Sequence, residues 1–487
     1  MTLTLNHVLN SGADHDIVFT APDRLPITHS QLRSLVKNIG EQISSLGLRN
    51  NDRVAIVLPN GPEAATSFFC VANYFTAAPL NPNFTKQEYD FYLQDIAPKL
   101  IIVEEGSKNP VLESAGELNI PVAEARVRDT DPAGVFTLFD TRVEATPNVD
   151  QDTVLVLHTS GTTSRPKMVP LLNSNVTSAA RGIVNTLELT SDDHALNVMP
   201  LFHIHGISVL ISTVMQGASI CCTNGFFAVR RFLEIARQER ITWYSAVPTI
   251  QQAVLRQAQR NPGLARELGL RLIRSSSASL PPAVFESMTE LFQCPVLEAY
   301  AMTETASQII CNPISKQKAG HVGVVTTTDV KIIDGEICVQ GANLTPGYLN
   351  NAKANTECFV DDWFHTGDLG KFDEEGYLKI TGRSKEVIIR GAEKISPLEV
   401  DNVLTGHPSV DQAVTFAVNH KTLGEDVAAV IVLRDGCVVT EQELKEYARN
   451  HLTGFKVPKT IIIIEEIPKG PTGKVQRIGL AEKLGLE

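Results

Sequence analysis

The sequence predicts an α/β protein of two domains: a large N-terminal domain of mostly parallel sheets covered by helices, and a small α+β domain after it. Three observations carry this. The chain has 487 residues, more than one ordinary hydrophobic core holds. Over most of its length, short apolar runs alternate with stretches of helical spacing, the pattern of parallel strands covered on both faces. Beyond Arg383-Ser-Lys385-Glu386 the pattern changes to short strands interleaved with two capped helices, over roughly 100 residues, an ordinary domain size. The boundary is therefore placed between 1–384 and 385–487.

The elements follow in order. Thr28-x-x-Gln31 reads as a capping box, and Leu32, Leu35, Val36, Ile39, Ile43 and Leu46 then fall at helical spacing. Asn51-Asp52 turns the chain into a buried strand from Arg53 to Leu58. Pro59-Asn60-Gly61-Pro62 makes a sharp strand-to-helix turn, and Lys99 to Val103 is the next clear strand. Residues 106–150, rich in charge and proline, are expected to be connecting elements. Thr153 to Leu157 is a buried strand, and Asn175 to Leu187 a helix. Trp243 to Val247 and Leu272 to Arg274 are apolar strands, the second ending in hydroxyls before a helix that starts at Pro281-Pro282. Lys331 to Gly341 reads as a trimmed hairpin. In the small domain, Val387 to Arg390, Val410 to Ala417, Asp426 to Leu433 and Ile461 to Ile464 are strands. Ser396 caps a helix with Pro397 at its first position, and Thr440-x-x-Glu443 caps another.

Composition excludes several functions. Hydrophobic residues make up 43% and the formal net charge is -12, which argues against a general nucleic-acid or anionic-membrane binder. The eight cysteines are scattered without a C-x-x-C pair, so neither a zinc site nor a disulfide framework is expected. Such thiols suit a reducing compartment. The chain shows no secretory pattern and no apolar run of spanning length, so a cytoplasmic setting is expected. No obligatory protein partner is expected.

The densest chemistry lies in His158-Thr-Ser-Gly-Thr-Thr-Ser-Arg-Pro-Lys-Met-Val-Pro170, directly after the strand at Thr153. Three hydroxyls (Ser160, Thr162, Thr163), Gly161 and two cations (Arg165, Lys167) can wrap phosphate oxygens with amides, hydroxyls and charge-assisted bonds. It is not a P-loop, because Pro166 stands where G-x-x-x-x-G-K-[ST] needs glycine. Pro166 and Pro170 also forbid an ordinary helix, so the loop must lead into extended chain. A plain Ser/Thr turn is the competing reading.

Other candidates are weaker alone. His203 and His205 lie two apart on an apolar background, with no third ligand at suitable spacing, so a core histidine satisfied by the backbone is the alternative to a binding role. Ser276 and Ser277 close a strand end, where ligands bind in open α/β sheets, or cap the next helix. Thr303-Glu304 offers a hydroxyl and a carboxylate to a hard cation. Asp368 follows Thr-Gly, and Lys474 stands on an exposed Pro-Thr-Gly loop.

Together these strings resemble the adenylate-forming superfamily: acyl-CoA synthetases, luciferases and peptide-synthetase adenylation domains. The loop is similar to Thr-Ser-Gly-Thr-Thr-Gly-x-Pro-Lys-Gly, with Ser164 and Met168 at the two later glycines, and Ser164 resembles the oxalyl-CoA synthetase branch. The resemblance runs over nearly the whole chain. It implies an ATP-dependent carboxylate–CoA ligase acting through an acyl-adenylate, with Mg2+ and coenzyme A. It implies that Thr159, Ser160, Gly161, Thr162, Thr163 and Lys167 grip phosphates, and that Glu304 and Thr163 serve the metal. Tyr300 stacks on adenine, Ser277 and Ala278 border adenine and acyl group, and Thr303 meets the acyl group or α-phosphate. Asp368 and Arg383 take the ribose and Lys474 serves adenylation. The small domain turns about Lys385, with Gly391 and Ala392 on the thiol tunnel.

His203, His205, Ser276, Ser277 and Ser307 are implied for the acyl pocket, whose polarity suits a small dicarboxylate, oxalate first. Oxalate-type relatives carry histidine where this chain has Ser307. Malonate or another short or medium acid, a stand-alone enzyme loading a carrier-protein thiol, and a silent nucleotide-binding scaffold are the other readings.

Overall fold

The computed structural model describes residues 3–139, 153–159, 166–223, 229–391, 393–468 and 475–486. Four sheets organise them. A nine-stranded sheet carries parallel strands at its centre, among them His194–Asn197, Trp243–Ala246, Leu272–Ser276 and Val296–Met302. Ser307–Cys311 then pairs antiparallel with Val296–Met302. A six-stranded sheet holds Arg53–Val57 and Thr76–Pro79 in parallel and ends in the antiparallel pair Thr153–His158 and Met168–Leu172. The strands at the centre of both sheets are buried along nearly their whole length, as expected where helices cover both faces. The helix Ile204–Met215 is buried through its first eleven residues, because it lies between layers rather than on the surface.

Local signals act as their chemistry demands. Thr28 and Gln31 form a reciprocal cap on His29–Ser44, as Thr440 and Glu443 do on Glu441–Arg449. Ser396 accepts from the Glu399 amide with Pro397 at the first position. Each such cap satisfies an amide the helix leaves unpaired, typically worth about 1 kcal/mol. The hairpin of Asp329–Ile333 and Glu336–Gln340 turns through Asp334 and Gly335, both at positive φ (49° and 85°), the geometry a two-residue hairpin requires.

One expectation is corrected. The region 106–150 is more than a connection: Val111–Leu118 is a helix and Val122–Ala125 a strand parallel to Leu100–Glu104. Its apolar positions are few because the strand lies at the sheet's edge, alternating exposed and buried. Residues 140–152 lie outside the described ones. The expected hairpin is present and supplies two strands of a five-stranded antiparallel sheet that also contains Trp363–Phe372 and Leu378–Arg383.

The fourth sheet belongs to the smaller C-terminal domain. Val410–His420 and Gly424–Leu433 pair antiparallel, and Thr460–Ile463 adds in parallel. Its own core gathers Ile388, Val400, Leu404, Val427 and Leu444. Across the seam to the larger domain, Arg256 pairs with Asp411 at 2.5 Å and the Ser396 hydroxyl donates to the Thr381 carbonyl. All eight cysteines are free thiols and six are buried. Burial pushes Cys221 and Cys294 up to about 12 and Cys311 and Cys338 up to about 11. Among the described residues, no helix is long and apolar enough to cross a membrane.

Candidate functional site

The site lies where the carboxyl ends of the central strands meet the hairpin Thr153–His158 and Met168–Leu172. The hairpin is closed at its mouth: the Thr159 amide donates to the Lys167 carbonyl at 2.9 Å, and the Lys167 amide to Thr159 Oγ1 at 3.2 Å. The strand after the loop confirms that the proline-rich string leads into extended chain. Ser160, Gly161, Thr162 and Thr163 fall between these clamps, outside the described residues, as do Ala392 and Lys474.

Lys167 does not stand alone. Its ammonium lies 4.4 Å from the centre of the Tyr348 ring, within the range of a cation–π contact, and 4.0 Å from Cys358 Sγ. The Tyr348 hydroxyl donates to Glu304 Oε1 at 2.7 Å, so one aromatic ring joins the expected phosphate cation to the expected metal carboxylate. Burial and the Glu304 charge push the Tyr348 phenol far above its ordinary value, keeping it a donor. Its position is set by zipping: Leu349 donates to the Met168 carbonyl at 2.9 Å, and Thr345 Oγ1 to the Pro170 carbonyl at 2.6 Å. Tyr348 had no local signal; the turn Thr345-Pro-Gly347 before it was the only available hint. Glu304 is 7% exposed and presents hard oxygen beside a cation, a donor type that fits Mg2+.

Asp368, Arg383 and Tyr300 do come together. Asp368 sits opposite Arg383 across paired strands. Its Oδ1 is 2.7 Å from Arg383 Nε, and its Oδ2 accepts from the Tyr300 hydroxyl at 2.6 Å. The carboxylate is 5% exposed. Asp368 holds the Arg383 guanidinium in its charged form, against the opposing cost of burial. The turn that presents Asp368 is braced from below. Glu336 Oε1 accepts from the Gly367 amide at 2.7 Å, Thr366 Oγ1 donates to the Ile337 carbonyl at 2.8 Å, and the Asp368 amide donates to Thr366 Oγ1 at 3.0 Å. Glu336, Cys338 and His365 form a three-ligand group with donor atoms within 4.8 Å of one another. The sequence spacing hid it, since it arises from strand register, Cys338 opposite His365. Its His365–Glu336 pair, at 2.9 Å, continues the same brace.

At the acyl end, His205 opens the helix Ile204–Met215 and is 5% exposed. Gly206 lets that helix press in: a Cβ there would meet the Pro200 carbonyl oxygen at 2.5 Å. His205 Nδ1 lies 3.0 Å from Ser277 Oγ and Nε2 2.7 Å from Ser245 Oγ. Ser307 Oγ donates to Ser208 Oγ at 2.9 Å, and Ser208 Oγ to the His205 carbonyl at 2.9 Å. Ser277 and Ser307 hold positive φ, 75° and 126°, which costs a non-glycine residue on the order of 1–3 kcal/mol. Ser276 Oγ donates to the Ala299 carbonyl at 3.1 Å. His203 caps the helix, its ring 4.6 Å from that of Phe202. Ala278 follows Ser277 after the strand, and Thr303 follows Val296–Met302, its carbonyl accepting from the Ala306 amide at 3.1 Å. Lys385 and Gly391 flank the strand Ile388–Arg390 that opens the smaller domain.

A strand pair closed at Thr159 and Lys167, a carboxylate and a lysine sharing one tyrosine, an aspartate between arginine and tyrosine, and a histidine between two serines suit a nucleotide-dependent, carboxyl-activating enzyme of two domains. The comparisons agree. The model of the AMP-binding enzyme family matches residues 9–349 and that of its C-terminal domain residues 399–474, so the chain belongs to the AMP-binding enzyme family. It is 39% identical to an oxalate–CoA ligase of Arabidopsis thaliana over 96% of this chain and 97% of that protein. An oxalate–CoA ligase of Saccharomyces cerevisiae is 38% identical over 88% and 86%. ATP-bound MatB from Rhodopseudomonas palustris superposes with a TM-score of 0.88 at 25% identity, covering 99% of both chains. The chain is an ATP-dependent acid–CoA ligase, with ATP, Mg2+ and coenzyme A as cofactor and co-substrates.

Proposed function

We propose that the acid is a small dicarboxylate, oxalate first, converted to its CoA thioester in two half-reactions. The observation that carries this reading is the buried chain Ser277–His205–Ser245 at the acyl end. A second carboxylate loses its water on entering such a pocket and needs donors there in exchange. A fatty chain gains nothing from them and strands them unpaired. The relatives named oxalate–CoA ligase support the same choice.

In the first half-reaction a carboxylate oxygen attacks the α-phosphorus of ATP and pyrophosphate leaves. Thr159 to Thr163 and Lys167 hold the leaving group. Glu304 and Thr163 would hold Mg2+, which when bound would neutralise charge on the phosphate oxygens. Asp368 and Arg383 take the ribose, Tyr300 stacks on adenine, Ala278 lines its edge, and Thr303 faces the acyl group or α-phosphate. Lys474 offsets the repulsion between two reacting anions, where a positioned donor is worth most. His203, His205, Ser276, Ser277 and Ser307 line the acyl pocket. In the second half-reaction the coenzyme A sulfur attacks the acyl carbon and AMP leaves. The small domain, divided from the large one at 384/385, turns about Lys385, withdraws Lys474 and opens a thiol path past Gly391 and Ala392. Such closures are gating steps. The setting is cytoplasmic and no protein partner is required.

Pyrophosphate release with MgATP, measured across oxalate, malonate, acetate, benzoate and octanoate with and without coenzyme A, tests the reading. A dominant oxalate signal that yields thioester is expected. Ser307, standing where oxalate-type relatives carry histidine, favours malonate as the second reading, and a dominant malonate signal would replace the first. Turnover only with a carrier-protein thiol would overturn the free-CoA step.

A further inference from the structure

Arg274 lies in the middle of the strand Leu272–Ser276. It is 1% exposed, yet no carboxylate pairs with it among the described residues. Burying an unpaired ion is strongly unfavourable even after relaxation. The Cys311 thiol beside it, pushed up to about 11 by burial, is neutral at pH 7 and supplies no counter-charge. Glu298, on the neighbouring strand, belongs to the other face of the sheet: the register sets Arg274 beside Leu297 and Ser275 beside Glu298. The guanidinium instead donates to Ser245 Oγ from Nη1 at 3.0 Å and to Gln308 Oε1 from Nε at 3.2 Å, while Nη2 has no hydrogen-bond partner.

These contacts set a direction. A guanidinium only donates, and a serine hydroxyl has one proton to give. Ser245 accepts from Arg274 and, in the tautomer with the imidazole proton on Nδ1, gives its own proton to His205 Nε2, 2.7 Å away. Neutral imidazole with Nε2 accepting carries its proton on Nδ1, and Nδ1 faces Ser277 Oγ at 3.0 Å. Ser277, accepting from His205, is left with its own proton to donate at the strand end. The chain of bonds thus runs one way, from a buried cation to a hydroxyl donor.

We infer that Arg274 is a specificity-determining, positioning residue: it orients the relay Ser245–His205–Ser277 so that the acyl pocket offers donors and positive charge to the second carboxylate of a dicarboxylic acid. This rests on the dicarboxylate reading above. Gln308 anchors the guanidinium from the far side, through its own bond to Thr186 Oγ1 at 3.2 Å, so the charge is fixed in place before substrate arrives. Preformed orientation of this kind lowers the cost of binding.

The test compares wild-type enzyme with Arg274→Met, Arg274→Lys and Ser245→Ala, measuring pyrophosphate release at varied oxalate and varied ATP, with melting curves for each. The wild type is expected to prefer oxalate over acetate. Arg274→Met is expected to raise the oxalate KM by on the order of tenfold or more, as for loss of a hydrogen bond to a charged group, with the ATP KM unmoved. Arg274→Lys is expected to recover part of that loss, and Ser245→Ala to raise the oxalate KM with the cation still in place. If Arg274→Met does not fold, the other two variants decide. Oxalate and ATP KM rising together, or the oxalate KM staying unchanged in the variants that fold, overturns the role of Arg274 and leaves the dicarboxylate reading standing. A wild type that prefers acetate overturns that reading and this one with it.

Discussion

The two ends of the site balance charge in opposite ways. At the proposed nucleotide end the charged groups are already engaged: Asp368 lies between Arg383 and Tyr300, and Glu304 takes the Tyr348 hydroxyl while Lys167 rests over the same ring. At the proposed acyl end a buried guanidinium meets Ser245, Gln308 and the Cys311 thiol, with no carboxylate paired to it among the described residues. A nucleotide arriving at the first end exchanges one set of polar contacts for another. On the reading proposed above, an anion arriving at the second would complete a charge balance the fold leaves open.

The largest expected effect lies where the two ends must be joined. Lys474→Ala is expected to slow adenylation by about 10² to 10³, the loss typical of one positioned donor, yet spare thioester formation from premade acyl-adenylate. Equal loss of both steps would break the division between the ends. Next comes a contrast in pH. Glu298, 2% exposed, is pushed up by burial to about 8 from an ordinary 4.5. The folded protein therefore keeps a proton that the unfolded chain releases. Its contribution is full below pH 4.5 and is lost as pH rises through about 8, at up to about 1.4 kcal/mol per pH unit. Melting temperatures followed from pH 5 to 8.5 should fall for the wild type and fall less steeply for Glu298→Gln.

Smaller effects sharpen the comparison. Tyr348→Phe removes the donor to Glu304 and is expected to raise the MgATP KM about tenfold, the cost of a bond to a charged group, with the acid KM unmoved. Kinetics in which both constants shift would show that the ends are coupled through this ring. Ser277→Gly relieves the left-handed backbone at 75° and should raise the melting point slightly, by about 1 kcal/mol of stability, while weakening oxalate binding. A variant that gained stability at no cost in binding would remove Ser277 from the acyl pocket.

What was legible in the sequence follows the same division. Lys167 sits in a string whose composition announces it, while Glu304, Asp368 and Arg383 were singled out mainly by the resemblance of their strings to the family. The caps at Thr28, Ser396 and Thr440 could be read because their partners are three residues away. Tyr348 was not legible, because its partners are 44 and 181 positions distant and meet it only through the pairing of Leu349 with Met168. Arg274 passed as part of an apolar strand; the charge inside Leu272-Ile-Arg274 was the signal that the strand holds something besides core. Glu336, Cys338 and His365 meet through register, which pattern alone does not give. The helix at Val111–Leu118 was missed because only Val111, Ser114 and Ala115 are buried in it, too few to set up a period.

The buried cysteines have a consequence for an enzyme whose second substrate is itself a thiol. Exchange requires a thiolate and access to it. Cys221, Cys294, Cys311 and Cys338 lack both, being buried with their protons held tightly. During an oxidative episode, these four would offer coenzyme A disulfides no attacking thiolate. Cys358 is the instructive case. Only partly buried and 4.0 Å from the Lys167 ammonium, it is where a mixed disulfide would stand beside the lysine of the proposed phosphate site.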